Sequence, residues 1–221
     1  PCYVDEAVAA TAGSTVRVGI PIGFPLGGHT TKAKVAEATE AVARGAQILD
    51  MVINVSRLKS GYQAYVRQDI AEVVKATPSV EHKVILETCL LTQQEKITAC
   101  HLVVEAGADY VKTSTGFSTA GATVEDVRLM KQTVAGKAKV KASGGIRDWK
   151  TTMAMLEAGA DRIGTSAGVA IVAGDTKVVP VPAGNPEDAR IGSAGVDAAG
   201  AGDFGELVAA DDFEVIGFPV P

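Results

Sequence analysis

The sequence has few aromatic residues and few cysteines. Phe, Trp and Tyr make up 5 % of its 221 residues, so aliphatic side chains must form most of the core that a chain of this length can bury. Cys2, Cys89 and Cys100 show no C-x-x-C spacing and no His cluster accompanies them, which argues against a disulfide framework and against a zinc site. We therefore expect a cytoplasmic protein.

The sequence also lacks the features of membrane and nucleic-acid partners. No apolar run is long enough to span a bilayer, and the opening PCYVDEAVAA does not resemble a secretory signal. The formal net charge is -5 and no run collects Lys and Arg, which argues against binding by neutralisation of phosphates. We expect neither a membrane nor a nucleic-acid partner.

What the sequence does contain is a repeated alternation of short apolar runs with amphipathic segments. The runs are β-branched and apolar on both faces, which is typical of parallel strands covered by helices. The segments between them carry apolar residues at helical spacing. This pattern predicts six strands, at residues 16–22, 48–54, 83–88, 109–114, 139–144 and 161–166.

Capping signals agree with these boundaries. Thr92 and Glu95 have the spacing of a capping box, and Thr123 and Asp148 precede two further helical segments. A glycine ends a helical segment just before a predicted strand at three places, Gly45, Gly107 and Gly159. The chain therefore repeats one helix-to-strand unit.

A chain of such units folds either as an open doubly wound sheet or as a closed barrel. No G-x-G-x-x-G motif opens a helix, and polar residues follow strand after strand at the carboxyl ends. Active sites of (β/α)8 barrels are built at those ends. We predict an α/β fold, a TIM (β/α)8 barrel, of which two strands are not recognisable.

The sequence changes character after about Val172. Residues 173–221 are rich in Gly, Ala, Pro and acidic side chains, a composition typical of a loosely ordered extension. We predict an incomplete barrel over residues 1–172 and an acidic C-terminal tail over residues 173–221.

Lys112 stands inside DYVKTS, a run that otherwise predicts a buried strand. An unpaired ammonium group in a barrel interior is costly, so one interpretation places Lys112 at the strand end with its amine in water. Lys141 lies at a comparable depth in the next strand and favours a second interpretation. Two adjacent ammonium groups favour loss of a proton from one of them, and a neutral lysine can form a Schiff base.

Asp50 is a carboxylate within the apolar run ILDMVIN. One interpretation makes it a structural partner of a lysine, because buried carboxylates are usually paired. The other interpretation gives Asp50 a role in catalysis and is compatible with that pairing. A carboxylate beside two lysines can pass the protons that imine formation and carbon-carbon cleavage both require.

Two glycine-containing turns follow the last two predicted strands. SGGIRD places Gly144 and Gly145 before a helix, and IGTSAG places Gly164, Ser166 and Gly168 in the next turn. Either turn alone is weak evidence, because glycine at a turn usually reflects backbone conformation. Together, at the last two loops of a barrel, they predict an anion cradle, most often for a phosphate.

Six long motifs, in order, resemble the deoxyribose-phosphate aldolase family across roughly residues 1–172: GFPLGGHTT, LDMVINVSRLKSG, KVILETCLLT, ADYVKTSTGFSTAGATVEDVRLMK, KASGGIRD and RIGTSAGVAIV. The resemblance implies reversible cleavage of 2-deoxy-D-ribose 5-phosphate to D-glyceraldehyde 3-phosphate and acetaldehyde, without a metal or other cofactor. It implies that Lys112 forms the Schiff base, that Lys141 lowers the pKa of Lys112 and relays protons, and that Asp50 belongs to the relay. The residues that match the phosphate-binding positions are Gly144, Gly145, Ser166 and Ala167, where Ala167 replaces a frequent serine.

By the same resemblance, the chain lacks the helix and the two strands with which members of this family begin. We expect an open barrel, whose edge strands are compatible with a homo-oligomer. Two alternative functions remain. One is a related Schiff-base aldolase that acts on another phosphosugar, and the other is an inactive phosphate-binding barrel that serves as a scaffold.

Overall fold

Strands and helices alternate along the chain in a computed structural model, which describes residues 1–173 and 213–214. Within these residues no helix combines the length and the apolar content that a membrane span needs. The strands are β1 (Gly19–Ile22), β2 (Ile48–Val52), β3 (Glu81–Ile85), β4 (Tyr110–Lys112), β5 (Lys139–Ser143), β6 (Arg162–Gly164) and β7 (Phe213–Glu214). The α-helices are α1 (Val4–Ala10), α2 (Thr31–Ala43), α3 (Val55–Lys59), α4 (Gln63–Ala76), α5 (Gln93–Glu105), α6 (Val124–Val134), α7 (Trp149–Glu157) and α8 (Gly168–Val172).

All these strands belong to one parallel sheet, in the order β1-β2-β3-β4-β5-β6-β7. Each strand pairs with the next one along the chain, as in a barrel built from right-handed βα units. Within the described residues, β1 and β7 are the edges of the sheet. The prediction of an α/β barrel is therefore confirmed, and the described residues supply seven of its strands.

All six predicted strands are present, but their ends differ from the apolar runs. β3 begins at Glu81 and ends at Ile85, whereas the pattern predicted residues 83–88. The strand stops early because Glu87 has a positive φ of 55° and Thr88 begins a short helical turn, Thr88–Leu90. Extended pairing cannot continue through a left-handed residue.

The predicted helix ends are confirmed. Thr92 and Glu95 form a reciprocal capping box at the start of α5, and the side chains of Thr123 and Asp148 cap α6 and α7. The three glycines that follow helices all have positive φ, with Gly45 at 105°, Gly107 at 82° and Gly159 at 107°. Local sequence therefore specifies where the βα units begin and end.

The two faces of the sheet carry different side chains. The outer face packs aliphatic residues such as Leu49, Val84 and Val111 against the helices in one continuous core. Because side chains alternate along a strand, the residues between them point into the barrel. The buried charged members of this inner set are Asp50, Lys83, Lys112 and Lys141. Ionic groups thus occupy space that apolar layers fill in many barrels.

The predicted tail falls almost entirely outside the described residues. Its one described segment is β7, which lies parallel to β6 with Phe213 opposite Ile163 and Glu214 opposite Gly164. This segment of the tail adds a strand to the sheet. The division of the chain at residues 172 and 173 stays a prediction.

Candidate active site

Asp50, Lys112 and Lys141 meet in the barrel interior, as the sequence predicted. Asp50 is central in β2, Lys112 ends β4 and Lys141 is central in β5, where the strand register places it opposite Lys112. Lys112 and Asp50 are each 2 % exposed and Lys141 is fully buried. The interpretation in which Lys112 extends into water is therefore wrong, because its strand turns the side chain inward.

Both amines converge on a single oxygen of Asp50. Nζ of Lys112 donates a hydrogen bond to Oδ2 of Asp50 at 2.5 Å, and Nζ of Lys141 donates to the same oxygen at 3.0 Å. The carboxylate thus links the two lysines. A proton can pass between the amines and Asp50 over hydrogen-bond distances.

The amines of three buried lysines lie within 3.6 Å of the Asp50 carboxylate and affect its ionisation. Burial alone would raise the pKa of Asp50, but the ammonium groups of Lys112, Lys141 and Lys83 outweigh burial and hold its pKa far below the usual range. Asp50 is therefore ionised. Three buried lysines on neighbouring strands face this one carboxylate, and ammonium groups held close together favour loss of a proton from one of them.

Two charged residues of β3, which the sequence analysis missed, extend this group towards the amino ends of the strands. Nζ of Lys83 lies 3.6 Å from Oδ1 of Asp50 and 2.7 Å from Oε1 of Glu81. Glu81 also pairs with Arg162 at 2.6 Å and with Arg17 at 3.0 Å. The available signal was the alternation of Glu81, Lys83 and Ile85, which places two charges on one face of a buried strand.

Glu81 is itself held in its charged form. Partial burial raises the pKa of Glu81, but Lys83, Arg162 and Arg17 outweigh it and lower this pKa to about 2. The carboxylate is therefore ionised and pairs with all three of these cations. The ionic chain runs continuously from Glu81 through Lys83 and Asp50 to Lys112.

The first predicted phosphate loop follows β5. Gly144 and Gly145 have positive φ values of 87° and 81°, which favour glycine. The carbonyl of Gly144 accepts a hydrogen bond from the N–H of Ala122 at 3.0 Å, and a Cβ on Gly121 would lie 2.1 Å from the same oxygen. The segment before α6 therefore packs tightly on this loop.

The second predicted phosphate loop follows β6 and is tied to the first. Ser166 is exposed, and Ala167 directly precedes α8. The N–H of Ala167 donates to Oγ1 of Thr165 at 2.9 Å, and Thr165 donates to the carbonyl of Ile146 at 2.6 Å. The two loops are adjacent, as predicted, while the Ala167 amide already has a partner within its own turn.

The loops above Lys112 are also joined to one another. The buried carboxylate of Glu87 accepts hydrogen bonds from the N–H and the hydroxyl of Thr115, three residues after Lys112. Two residues further on, the ring of Phe117 meets the ring of Phe24 edge to face at 5.5 Å. These contacts connect the loops that follow β1, β3 and β4 and so hold the segment next to the lysine in place.

The arrangement offers a buried amine, a second amine and an ionised carboxylate that connects them. This set can attack a carbonyl group and move the protons that the attack requires. Among the described residues, no three His, Cys, Asp or Glu side chains are grouped as a metal site would need.

Comparisons with known proteins agree with this chemistry. Residues 4–174 match a family model described as DeoC/LacD family aldolase. A deoxyribose-phosphate aldolase of Brevibacillus brevis is 59 % identical over 174 residues, which are 79 % of each chain, and one of Thermoanaerobacter is 57 % identical over 175 residues, 78 % of each chain. A tetrameric deoxyribose phosphate aldolase of Aeropyrum pernix superposes with a TM-score of 0.74 at 32 % identity, over 81 % of this chain and 76 % of that one.

Proposed function

The chain belongs to the DeoC/LacD family of aldolases, and we propose that it reversibly cleaves 2-deoxy-D-ribose 5-phosphate to D-glyceraldehyde 3-phosphate and acetaldehyde. The observation that carries this proposal is the contact of both Lys112 and Lys141 with Oδ2 of Asp50 in a buried site. The relatives named for this activity are 57 % and 59 % identical.

The first step uses Lys112 as the nucleophile. Its neutral amine attacks C1 of the open-chain sugar, which carries the aldehyde. The resulting carbinolamine loses water to form a protonated imine, and a proton from Lys141 assists departure of the hydroxyl group. Asp50 accepts a hydrogen bond from each amine and so keeps the two amines close enough for this transfer.

The second step breaks the bond between C2 and C3 of the sugar, because acetaldehyde keeps C1 and C2. The C3 hydroxyl gives its proton to the relay of Asp50, Lys141 and water. The electrons of the C2–C3 bond move into the protonated imine, and D-glyceraldehyde 3-phosphate leaves. An enamine remains on Lys112. A proton returned to C2 through Asp50, Lys141 or water regenerates the imine, and hydrolysis then releases acetaldehyde and the free lysine.

The phosphate group of the sugar would bind at the loops after β5 and β6. Backbone N–H groups in the Gly144–Gly145 turn and the exposed hydroxyl of Ser166 are suitable donors for an anion. Ala167 would contribute its amide only by exchanging the bond to Thr165. Its methyl group supplies no hydroxyl at this position.

The cellular setting follows from the chemistry of the substrate. We place the protein in the cytoplasm, where phosphosugars are handled and where Cys2, Cys89 and Cys100 stay reduced; all three are free. The tetrameric relative supports a homo-oligomer for this chain.

Trapping of the imine tests the proposal. The protein is incubated with acetaldehyde or 2-deoxyribose 5-phosphate, reduced with borohydride and analysed by peptide mass spectrometry. We expect a stable adduct on Lys112 that Lys112→Ala abolishes and that Lys139→Ala, at an exposed lysine of β5, retains. Cleavage of another phosphosugar in place of 2-deoxyribose 5-phosphate would support the related aldolase. A folded protein without any adduct would support the inactive barrel.

A further inference from the structure

Lys83 is a buried lysine that the reaction steps above do not use. Its side chain is fully buried, and its amine lies on the far side of Asp50 from Lys112 and Lys141. Oδ2 of Asp50 accepts hydrogen bonds from those two lysines, whereas Oδ1 lies 3.6 Å from Nζ of Lys83. Asp50 is thus held from both of its oxygens by cations on three different strands.

Charged and aromatic side chains from three strands lie around Lys83. Glu81, on the same strand, pairs with it at 2.7 Å, Asp50 approaches from β2, and the ring of Tyr110 on β4 lies 5.5 Å from its amine. Further from Lys83, Arg162 and Arg17 both pair with Glu81. Lys83 therefore lies between two carboxylates, Glu81 at 2.7 Å and Asp50 at 3.6 Å.

Resting on the function proposed above, we propose that Lys83 is a positioning residue that acts through Asp50 to keep Lys112 in its neutral, nucleophilic form. The positive charge of Lys83 offsets part of the negative potential that Asp50 produces at Lys112. Without Lys83, a larger negative potential would act on Lys112 and Lys141 and would stabilise their ammonium forms. A lysine that stays protonated to higher pH attacks an aldehyde more slowly at neutral pH.

Glu81 should act in the opposite direction. Its negative charge offsets Lys83, so removal of Glu81 leaves more positive potential near Asp50 and lowers the pKa of Lys112. This opposition distinguishes an electrostatic role from a purely structural one. Loss of packing in either variant would reduce activity at every pH, whereas loss of charge moves the pH dependence, and in opposite directions for Lys83 and Glu81.

The test measures the rate of imine trapping on Lys112, with acetaldehyde and a reductant that is selective for imines, as a function of pH. Lys83→Met removes the charge and retains most of the volume. We expect the pH at half-maximal rate to rise by on the order of one unit in this variant, from the Coulomb energy of one charge nearby. Glu81→Gln should lower the same midpoint. Lys83→Arg keeps the charge, so its midpoint should stay close to that of the unsubstituted protein.

Lys139→Met is the matched control. Lys139 lies 5.6 Å from the same Tyr110 ring but is exposed at the start of β5, so its removal should leave the midpoint in place. Circular dichroism and thermal unfolding measure whether each variant is folded. If Lys83→Met does not fold, the downward shift of the midpoint in Glu81→Gln tests the inference instead. An unchanged midpoint in folded Lys83→Met would overturn the inference while leaving the aldolase proposal intact. No adduct in the unsubstituted protein would overturn both.

Discussion

Nζ of Lys112 donates a hydrogen bond of 2.5 Å to Oδ2 of Asp50, although the two residues are 62 positions apart in the chain. Neither side chain reaches water to any extent, since each residue is 2 % exposed. The contact therefore exists only because β2 and β4 both turn these residues into the barrel. It places a carboxylate beside the amine that we propose as the nucleophile.

Asp50→Asn should separate imine formation from turnover. The amide keeps the shape of the carboxylate but removes its charge, so Lys112 loses the group that stabilises its ammonium form and the pH midpoint for imine trapping falls. Cleavage of 2-deoxyribose 5-phosphate should fall by ~10²–10⁴-fold, because a positioned proton-transfer group is lost. Steady-state kinetics and adduct mass spectrometry measure the two effects.

The control for this variant is Asp5→Asn. Asp5 pairs with Arg44 at 2.9 Å on the exposed side of α1, so its charge does not act on the barrel interior and both readouts should stay unchanged. If Asp50→Asn instead loses trapping and turnover in equal proportion, Asp50 acts on the first step alone.

The stability of the fold should decrease on acidification between about pH 5 and pH 2. Cations lower the folded-state pKa of Asp50 below its usual range and that of Glu81 to about 2. The stability that these carboxylates contribute is therefore fully present above their unfolded pKa values, ~3.9 and ~4.3, and is lost as the pH falls through the folded values. Thermal unfolding at pH 6 and pH 3 measures the loss.

Substitution of Glu81 identifies its share of this pH dependence. Glu81→Gln cannot titrate, so the difference in Tm between pH 6 and pH 3 should be smaller than in the unsubstituted protein. Glu157→Gln, at an exposed position that ends α7, should leave the difference unchanged. An equal difference in all three proteins would show that Glu81 has the same pKa in the folded and unfolded chain.

A second buried ion pair should be important for stability. Lys34 of α2 and Asp69 of α4 are both fully buried, and Nζ of Lys34 donates to Oδ2 of Asp69 at 2.6 Å and to the carbonyl of Val52 at 2.9 Å. Lys34→Met leaves the Asp69 charge buried without its cation and should lower the free energy of unfolding by ~3–5 kcal/mol. Urea denaturation measures the change.

Two further variants show whether the unpaired charge causes that loss. Lys34→Met combined with Asp69→Leu replaces the pair by apolar groups and should recover much of the lost stability. Lys32→Met, at an exposed position of the same helix, should change the free energy of unfolding by less than about 0.5 kcal/mol. If the double variant is no more stable than Lys34→Met, the lost bond to Val52 rather than the unpaired Asp69 causes the effect.

Gly121→Ala should weaken binding of the phosphorylated substrate. The new Cβ would lie 2.1 Å from the carbonyl oxygen of Gly144, so the predicted phosphate loop must move. We expect KM for 2-deoxyribose 5-phosphate to rise about tenfold or more, which corresponds to ~1.4 kcal/mol of binding free energy. Trapping of acetaldehyde, which has no phosphate, should change little. Gly28→Ala, where a Cβ meets nothing within 4 Å, is the control.

Much of the fold was predictable from local sequence. The strand positions, the capping box of Thr92 and Glu95 and the glycines that end helices depend on periodicity and on backbone preferences, which are properties of short segments. The meeting of Asp50, Lys112 and Lys141 was predictable because each is a charged residue in an apolar strand, and such residues need partners.

The contacts that the sequence did not reveal are the long-range ones. Glu81 and Lys83 lie in a strand that was predicted two residues too far along the chain, so Glu81 fell outside it. The bond between Glu87 and Thr115 and the contact between Phe24 and Phe117 each join loops that follow different strands. No local pattern encodes such a pairing.

The amino-acid sequence alone specifies a chain of βα units, its polar strand ends and three charged residues that require burial together, because these features depend on side-chain type and spacing. The tertiary structure establishes that Asp50 connects Lys112, Lys141 and Lys83, since strand register and the curvature of the sheet set the distances between their charged groups. The energy of an ionic contact depends steeply on such distances and on burial. The protonation of the site is therefore a property of the folded chain.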